Sequence, residues 1–315
     1  MTKGFVTIAT GKKHYYVLAR NLLRSYKDNC KKPVRFAVIA DEENEYTEEF
    51  DDVVILKNAS CSWMDKMEIL RVCPYDENIF IDADCLIYKD VNFLWEIYKR
   101  ADDFSCFGKE LPLDSKEGWF TREAAEKYPI HFITHLHGIM YFVRRGNKID
   151  EMYRLCQKII SDYYSITFSA FNNVLADEPV FALAMSVMNF HPMERKPEYY
   201  CFVPFADYIR ADYVNRTVKF QNLKDGKVES CCIVHWGNKN TMLAKYKSDS
   251  SKLNYYYKRN LSLKDTIKGW VLYKINLYYF ICFILDKVCL LKRWFCWVAE
   301  RIQAKFIKIL DKIIL

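Results

Sequence analysis

The sequence predicts an α/β protein built on a mainly parallel sheet, and three observations carry that prediction. Short apolar runs alternate with segments of helical periodicity in the first part of the chain, which is the order typical of strand–helix–strand units. The apolar share of 51% can fill a sizeable core in a chain of 315 residues. The counts of 9 glycines and 8 prolines argue against collagen-like and low-complexity chains.

The predicted elements follow one another from the N-terminus. Strands are predicted at Phe5–Ala9, Val34–Ile39, Val53–Leu56 and Asn78–Asp82, with helices at Tyr15–Tyr26 and Met64–Val72 between them. The middle of the chain predicts a strand at Ile139–Val143, helices at Lys148–Tyr164 and Pro179–Met188, and a further strand at Ile233–His235. Because such sheets bind ligands at the carboxyl ends of their strands, residues just after each strand are the candidates for a site.

Two carboxylates leave the end of the predicted strand Asn78–Asp82. Only Ala83 separates Asp82 from Asp84, and in extended geometry residues i and i+2 point the same way, so both can converge on one point. Hard oxygen ligands of this kind suit Mg²⁺ or Mn²⁺, whose remaining positions can be filled by substrate phosphates. The alternative is that this D-x-D pair is only turn chemistry.

The predicted strand Ile233–His235 ends in another potential ligand. Gly237 follows it and permits a tight turn with close backbone approach. The His235 imidazole could complete a Mn²⁺ site begun by the D-x-D pair. The alternative is a half-buried structural histidine.

The net charge of +7 is concentrated in the C-terminal segment 261–315, which carries +6 of it. The sequence therefore predicts a nearly neutral domain at 1–260 and a basic amphipathic helical tail at 261–315. In the tail, an apolar stripe runs from Leu277 to Ile313 with charged residues opposite, which favours a helix lying on an anionic membrane surface. A coiled-coil homodimer through the tail and packing of the tail on the first domain are the alternatives.

Targeting signals and cysteine usage predict a cytoplasmic protein that is peripheral on the inner face of the membrane. The N-terminus reads directly into a strand without the apolar region of a secretory signal. The 12 cysteines are scattered and form no C-x-x-C pair, which favours a reducing compartment over a disulfide framework. No run of about 18 uncharged apolar residues predicts a transmembrane helix.

These motifs, in this order, resemble the family 8 glycosyltransferases with a GT-A fold, the glycogenin-like and bacterial lipopolysaccharide galactosyltransferase-like enzymes. The resemblance covers about residues 3–245. Phe80 to Asp84 resembles the family's metal-binding D-x-D, and His137-Gly138 resembles its strand beside the donor sugar. Asp177-Glu178-Pro179 stands where the family has an Asp-Gln pair, and His235-Trp236-Gly237 resembles its metal-binding histidine element, with one residue fewer before the glycine.

The resemblance implies a set of site residues. The metal would be held by Asp82, Asp84 and His235, while Asp177 and Glu178 would lie near the anomeric carbon as hydrogen-bond acceptors or a stabilising carboxylate. Asp177 also fits the N-cap of a helix that has Pro179 in its first turn. The nucleotide-sugar would be bound by Ala9, Thr10, His14, Tyr15, Lys66, Asp82, Ala83, Asp84, His137, Gly138, Gly237 and Lys239.

The implied reaction is metal-dependent transfer of a hexose from a UDP-sugar to an acceptor hydroxyl with retention, using Mn²⁺ or Mg²⁺. The metal would neutralise charge growing on the leaving diphosphate. The expected acceptor is a membrane-linked glycan or glycolipid of the lipopolysaccharide or capsule type. The alternatives are a membrane-associated binding or scaffold protein on a degenerate GT-A domain, and a nucleotidyltransferase. Nucleic-acid binding is not predicted, since the positive charge is confined to an apolar helix and no recognition module is present.

Overall fold

The computed structural model describes residues 1–113, 115, 122–166 and 175–257, together with 267, 298, 301–307 and 309 of the C-terminal segment. The described strands are β1 (Lys3–Ala9), β2 (Arg35–Ala40), β3 (Asp52–Ile55), β4 (Glu77–Ile81), β5 (Cys85–Ile87), β6 (Phe104–Leu111), β7 (Ile133–Arg144), β8 (Tyr200–Phe202), β9 (Ala206–Asp212), β10 (Thr217–Asn222), β11 (Val228–Glu229) and β12 (Ile233–His235). The described α-helices are α1 (Lys13–Asn29), α2 (Ile69–Val72), α3 (Leu94–Tyr98), α4 (Arg122–Lys127), α5 (Asn147–Asp162), α6 (Asp177–Met188) and α7 (Ala244–Tyr257).

The strands and helices predicted for residues 5–235 are all present, with shifted boundaries. The predicted helix Met64–Val72 is divided into a 3-10 helix (Trp63–Glu68) and α2. The predicted strand Ile139–Val143 is only the second half of β7. The described residues form two compact units, the first within the ranges 1–20, 34–83 and 92–195 and the second within 21–33, 84–91 and from 196 onward.

The first unit contains a six-stranded sheet in the order β3-β2-β1-β4-β7-β6. β1 pairs in parallel with β2 and β4, and β2 pairs in parallel with β3. β7 runs antiparallel to both of its neighbours, so the other strands of the sheet share one direction. The predicted α/β class with a mainly parallel sheet is therefore confirmed.

An aromatic cluster joins this sheet to α6. The Tyr141 ring lies 4.7 Å from Phe181 of α6, 5.5 Å from Phe104 and 5.9 Å from Phe80, measured between ring centroids. All four side chains are fully buried, and each such burial contributes about 1.5–3 kcal/mol to folding. The cluster therefore fixes the start of α6 against β4 and β7, where acidic residues predicted for the site are found.

The second unit contains two small sheets. β12 is the central strand of the first, antiparallel to β5 and parallel to β8. β9, β10 and β11 form an antiparallel meander. The later half of α1 holds β5 in place, since Asn29 donates to the Ile87 carbonyl at 3.0 Å and the Ile87 N–H donates to the Ser25 hydroxyl at 3.0 Å.

The D-x-D segment is not extended as the sequence analysis assumed. β4 ends at Ile81, residues 83 and 84 form a turn, and β5 begins at Cys85. The chain turns here because β5 pairs with β12 in the second unit rather than continuing the large sheet. The i, i+2 argument for Asp82 and Asp84 therefore does not hold in this fold.

Most of the predicted tail 261–315 lies outside the described residues. Residues 301–307 are helical, with Gln303 and Ile307 buried and Ile302 and Ile309 exposed. Among the described residues, no helix combines the length and the apolar character needed to cross a bilayer.

Candidate active site

The loop after β1 is held by a buried carboxylate that the sequence analysis did not single out. Asp65 accepts hydrogen bonds from the Thr10 hydroxyl at 2.7 Å, the Ser60 N–H at 2.7 Å and the Cys61 N–H at 2.9 Å. Hydrogen bonds to an ionised carboxylate are strong, so Asp65 ties the loop after β1 to residues 60 and 61. Ala9 ends β1 directly before Thr10 and is itself buried.

The backbone at Gly11 is held by a second carboxylate. The Gly11 N–H donates to both oxygens of Asp41 at 3.1 and 3.2 Å, and the Tyr16 hydroxyl also donates to Asp41. Gly11 has a φ of +81°, a conformation that favours glycine. His14 and Tyr15, predicted to contact the nucleotide base, open α1 directly after this turn and are half-buried.

Lys66 lies at the centre of an acidic cluster in the first unit. Its ammonium lies 2.8 and 3.1 Å from the two Asp82 oxygens and 3.4 Å from Asp177 Oδ2. Burial alone would lower the pKa of Lys66, but the charges of Asp177 and Asp82 outweigh burial and raise this pKa above its ordinary value. Lys66 is therefore a permanent cation held between two carboxylates.

Asp177 is the first residue of α6 and not its N-cap. Ala176 is the N-cap residue, and no side chain caps this helix end. The Asp177 carboxylate instead accepts a hydrogen bond from the Tyr141 hydroxyl at 3.3 Å and pairs with Lys66. The N-cap interpretation of Asp177 is therefore wrong, because tertiary partners on β7 and on the 3-10 helix draw the carboxylate away from the helix end.

Glu178 packs against the backbone of Gly138. The Gly138 N–H donates to Glu178 Oε1 at 2.9 Å, and a Cβ at position 138 would lie 2.5 Å from the same oxygen. Burial, followed by the charge of Asp177, raises the pKa of Glu178 to about 7, although Lys66 opposes this shift. Glu178 is therefore close to half-protonated at neutral pH.

His137 precedes Gly138 in β7 and lies among cations. Its ring centroid is 6.0 Å from that of His135. Burial, followed by the charges of Arg195, His135 and Lys109, lowers the pKa of His137 to about 4. His137 is therefore neutral at physiological pH and can act as a hydrogen-bonding group but not as a charge.

The second unit contains the other part of the predicted metal set. His235 Nε2 lies 2.9 Å from Asp84 Oδ1, and both side chains are largely buried. The Phe202 ring stacks on the His235 ring at a centroid distance of 4.6 Å, which fixes the plane of the imidazole. The Trp236 N–H donates to the Asp84 carbonyl at 3.1 Å, so the backbone also joins the two residues.

The turn after His235 is shaped by Gly237. Gly237 has a φ of +72°, and a Cβ there would lie 3.3 Å from the Phe202 ring. A 3-10 helix (Asn238–Met242) follows and carries Lys239 on its exposed side. Lys239 is therefore presented to solvent one turn beyond the His235 imidazole.

The predicted site residues thus fall into two clusters. Lys66, Asp82, Asp177, Glu178 and Gly138 are brought together in the first unit, and Asp84 and His235 are brought together in the second. Within the described residues, the one group of three or more potential metal ligands is Asp84, Cys85 and His235. Five supporting residues of the two clusters and of the loop after β1 were not predicted from the sequence, namely Asp41, Asp65, Cys85, Tyr141 and Phe202. Of these, only Cys85 had a signal in the sequence, its position directly after the D-x-D.

Comparisons with known proteins add evidence on the fold. No protein-family profile matches the chain, and no curated protein matches it. A solved structure described as the bifunctional glycosyltransferase WbbM in its apo form superposes with a TM-score of 0.52 at 10% identity, over 87% of this chain and 51% of that one. The chain therefore spans about half the length of WbbM.

Structures of LgtC are also similar. An active-site variant of LgtC, with a glutamine replaced by glutamate, superposes with a TM-score of 0.50 at 10% identity, over 80% of this chain and 95% of that one. The galactosyltransferase LgtC in complex with donor and acceptor sugar analogues gives a TM-score of 0.49 at 9% identity, over 83% and 98% of the two chains. The superpositions on WbbM and on the LgtC variant show that this chain shares their fold, and its predicted resemblance to the family 8 enzymes is confirmed at the level of the fold.

Proposed function

We propose that this chain is a glycosyltransferase that moves a hexose from a UDP-sugar to an acceptor hydroxyl with retention of the anomeric configuration. The observation that carries the proposal is the buried cluster of Lys66, Asp82, Asp177 and Glu178 just beyond the end of β4. In open α/β sheets, ligands bind outside the carboxyl ends of the strands. The glycosyltransferase fold of the chain supports the same conclusion.

Lys66 is the residue best suited to face the phosphates of the donor. The difficult step is the separation of an oxocarbenium-like sugar from a diphosphate, during which negative charge grows on the leaving group. A positioned cation stabilises such charge, and removal of one such fixed group costs about 3–4 kcal/mol in other enzymes. Asp82 and Asp177 hold the Lys66 ammonium in place and keep it protonated.

Asp177 and Glu178 are the groups suited to the sugar itself. The Asp177 carboxylate can stabilise positive charge that develops on the sugar ring. Below pH 7, Glu178 carries a proton on a large fraction of molecules. It can then donate its O–H to a sugar hydroxyl while it accepts the Gly138 N–H. A protonated carboxyl group has one hydrogen-bond donor and one carbonyl acceptor, as the side-chain amide of glutamine has both donor and acceptor groups. Glutamine is the usual residue at this position in the family 8 enzymes that the sequence resembles.

The donor set of Asp84 and His235 fits a divalent metal, because carboxylate oxygen and imidazole nitrogen are both ligands of Mn²⁺ in proteins. Asp82, the third ligand that the sequence predicts, has its two carboxylate oxygens 2.8 and 3.1 Å from the Lys66 ammonium in the first unit. When bound, Mn²⁺ or Mg²⁺ would neutralise negative charge on the diphosphate. The chain's own contribution is orientation, since Phe202 fixes the His235 ring and the Trp236 N–H fixes the backbone of Asp84.

The nucleotide end of the donor fits the loop after β1. Asp65 holds the Thr10 hydroxyl and Asp41 holds the Gly11 N–H, and His14 and Tyr15 lie at the start of α1 directly after this loop as the proposed contacts of the base. Gly237 and Lys239 are the corresponding proposed donor contacts in the second unit, with Lys239 as an exposed point charge for a phosphate.

The proposed acceptor is a glycan or glycolipid at an anionic membrane surface. The basic segment 261–315 supports this location at the inner face of the membrane in the cytoplasm, since each basic residue near such a surface contributes about 1 kcal/mol. The exposed Ile302 and Ile309 fit the predicted apolar stripe.

We expect the full chain to bind anionic vesicles and not neutral ones, and to dissociate at high salt. Binding that ignores lipid charge would contradict this location.

A panel of UDP-sugars tests the proposed reaction. With Mn²⁺ present, we expect slow release of UDP from at least one donor, and at least a hundredfold loss of this activity in Asp84→Ala. Asp225→Ala is the matched control, since Asp225 lies on an exposed turn and pairs only locally with Lys227. Full activity in Asp84→Ala would overturn the metal assignment, whereas tight donor binding without turnover would indicate a non-catalytic binding protein.

A further inference from the structure

We propose that Cys85 is a third ligand of the metal site formed by Asp84 and His235, and that this sulfur-containing site binds Zn²⁺ more tightly than Mn²⁺ or Mg²⁺. The proposal concerns metal binding and can be tested without any sugar transfer.

The sheet of the second unit places the three side chains together. Phe202, His235 and Cys85 are paired residues on adjacent strands β8, β12 and β5, and directly paired residues in a sheet present their side chains on the same face. Asp84 immediately precedes Cys85 and reaches His235 Nε2 at 2.9 Å. One ligand atom from each of Asp84, Cys85 and His235 lies within 4.8 Å of the others.

The spacing is close to what a tetrahedral metal requires. With a Zn–S bond of about 2.3 Å and Zn–N and Zn–O bonds of about 2.0–2.2 Å, ligand atoms of one tetrahedron lie about 3.5 Å apart. The three ligand atoms already lie within 4.8 Å of one another, and the backbone ladder of β5, β12 and β8 fixes the residues that carry two of them. Strands are more rigid supports for such a site than loops.

The burial of the three ligands suggests an open coordination position. Cys85 is fully buried, whereas the side chains of Asp84 and His235 are 16% and 14% exposed to solvent. A site with three protein ligands and one side open to solvent has the form of a catalytic zinc site rather than a closed structural one. The Phe202 ring supports the imidazole from the outer shell, and such support contributes to metal affinity.

The donor chemistry determines the preferred metal. Mg²⁺ demands hard oxygen ligands in octahedral geometry, and Mn²⁺ is the weakest binder of the first-row series at mixed nitrogen, oxygen and sulfur sites. A thiolate is a soft ligand that selects Zn²⁺. Cys85 therefore changes a carboxylate–imidazole site suited to Mn²⁺ into one that Zn²⁺ would occupy first.

Cobalt spectroscopy of the full chain tests the proposal directly. The protein is stripped of metal, kept reduced without added thiols, and titrated with Co²⁺, which gives a thiolate-to-metal charge-transfer band in the near ultraviolet when sulfur is a ligand. We expect this band at one equivalent, its loss on addition of Zn²⁺, and its absence in Cys85→Ser. We also expect Cys85→Ser to weaken Zn²⁺ binding at least tenfold while Mn²⁺ binding changes less than threefold.

Cys201→Ser is the matched control. Cys201 belongs to the same sheet and is equally buried, but it pairs with Val234 and so lies on the opposite face from His235. This variant should keep the band, which separates ligation from the general effect of a hydroxyl in the sheet.

X-ray absorption of the zinc-loaded wild-type chain needs no variant and should show one sulfur neighbour at about 2.3 Å. A band that survives Cys85→Ser, or a zinc spectrum without sulfur, would overturn the inference. If the wild-type chain shows the cobalt–thiolate band but no sugar transfer, this result would count against the proposed function and not against the metal site.

Discussion

The two acidic clusters of this molecule are built on opposite principles. In the first unit, Asp82 and Asp177 both contact the Lys66 ammonium, so the chain itself supplies a cation that offsets part of their negative charge. In the second, Asp84 faces the His235 imidazole beside the Cys85 thiol, which are metal-ligand groups rather than fixed cations. The first cluster is therefore partly neutralised by a cation of the chain, and the second is one that an added cation would complete.

The two clusters should therefore respond differently to substitution. Removal of the central cation from the first cluster leaves buried carboxylates uncompensated and should lower the free energy of unfolding. Removal of a ligand from the second cluster should lower mainly the affinity for a metal.

Lys66→Met should be the most destabilising change. It leaves Asp82, Asp177 and Glu178 without their shared cation, and loss of one partner of a buried ion pair costs about 3–5 kcal/mol. The free energy of unfolding, measured with urea, should fall more at pH 8 than at pH 5, since burial raises the pKa of Glu178 to about 7 and this carboxyl is therefore neutral at pH 5. Lys99→Met, which removes an exposed lysine paired with Glu96, should change stability by less than about 1 kcal/mol. Equal effects of the two variants would show that the first cluster is not organised around Lys66.

His235→Gln should show the reverse pattern. Calorimetric Mn²⁺ affinity should fall by more than about tenfold, because even outer-shell changes reduce metal affinity by that factor. The free energy of unfolding without metal should change by less than about 1 kcal/mol, since a glutamine amide can still donate to Asp84. If thermal denaturation without metal is strongly shifted while Mn²⁺ affinity is retained, the second cluster is structural.

Glu178→Gln should alter the pH dependence of stability. The folded-state pKa of Glu178 is raised to about 7 by burial and by the charge of Asp177, compared with an ordinary pKa of 4.5. A raised carboxyl pKa means that the folded state binds more protons, so its contribution to stability falls as the pH rises from 4.5 to about 7. The variant removes this dependence, and its stability relative to wild type should improve by up to about 3 kcal/mol between pH 4 and pH 8. Parallel pH–stability curves of the two proteins would contradict the shift.

Gly138→Ala should destabilise the first unit by about 1–3 kcal/mol, because the new Cβ would lie 2.5 Å from Glu178 Oε1. A double-mutant cycle with Glu178→Ala measures how much of this effect comes from that contact. We expect the alanine at 138 to cost clearly less in the Glu178→Ala background. Additive effects would place the strain elsewhere on the strand.

Tyr141→Phe should have the smallest effect. It removes the 3.3 Å hydrogen bond to Asp177 but keeps the aromatic packing against Phe104 and Phe181. The net contribution of a hydrogen bond is about 0.5–1.5 kcal/mol, and this bond is long. The change should appear as a modest drop in thermal stability, and a loss as large as that of Lys66→Met would mean that Tyr141 organises the cluster.

Sequence patterns were sufficient to predict the α/β class and ten of the strands and helices between residues 5 and 235, although with shifted boundaries. Apolar periodicity is a local property, since β1, β4 and α6 bury their apolar residues whatever their partners are. The D-x-D and His235 could also be singled out locally, because each follows an apolar strand. What the sequence could not predict is their partners: the turn at residues 83–84, the Lys66 bridge and the proximity of Cys85 to His235.

The sequence alone was therefore enough to predict the fold class, part of the strands and helices, and the D-x-D and His235 as candidate site residues. The grouping of these residues, and elements such as β5, β6 and β8–β11, became visible in the folded chain. The reason is that contacts such as Lys66 with Asp177 and Asp84 with His235 join positions more than a hundred residues apart in the chain. Their charges and hydrogen bonds depend on strand order and register, which the local pattern of apolar and polar residues does not encode.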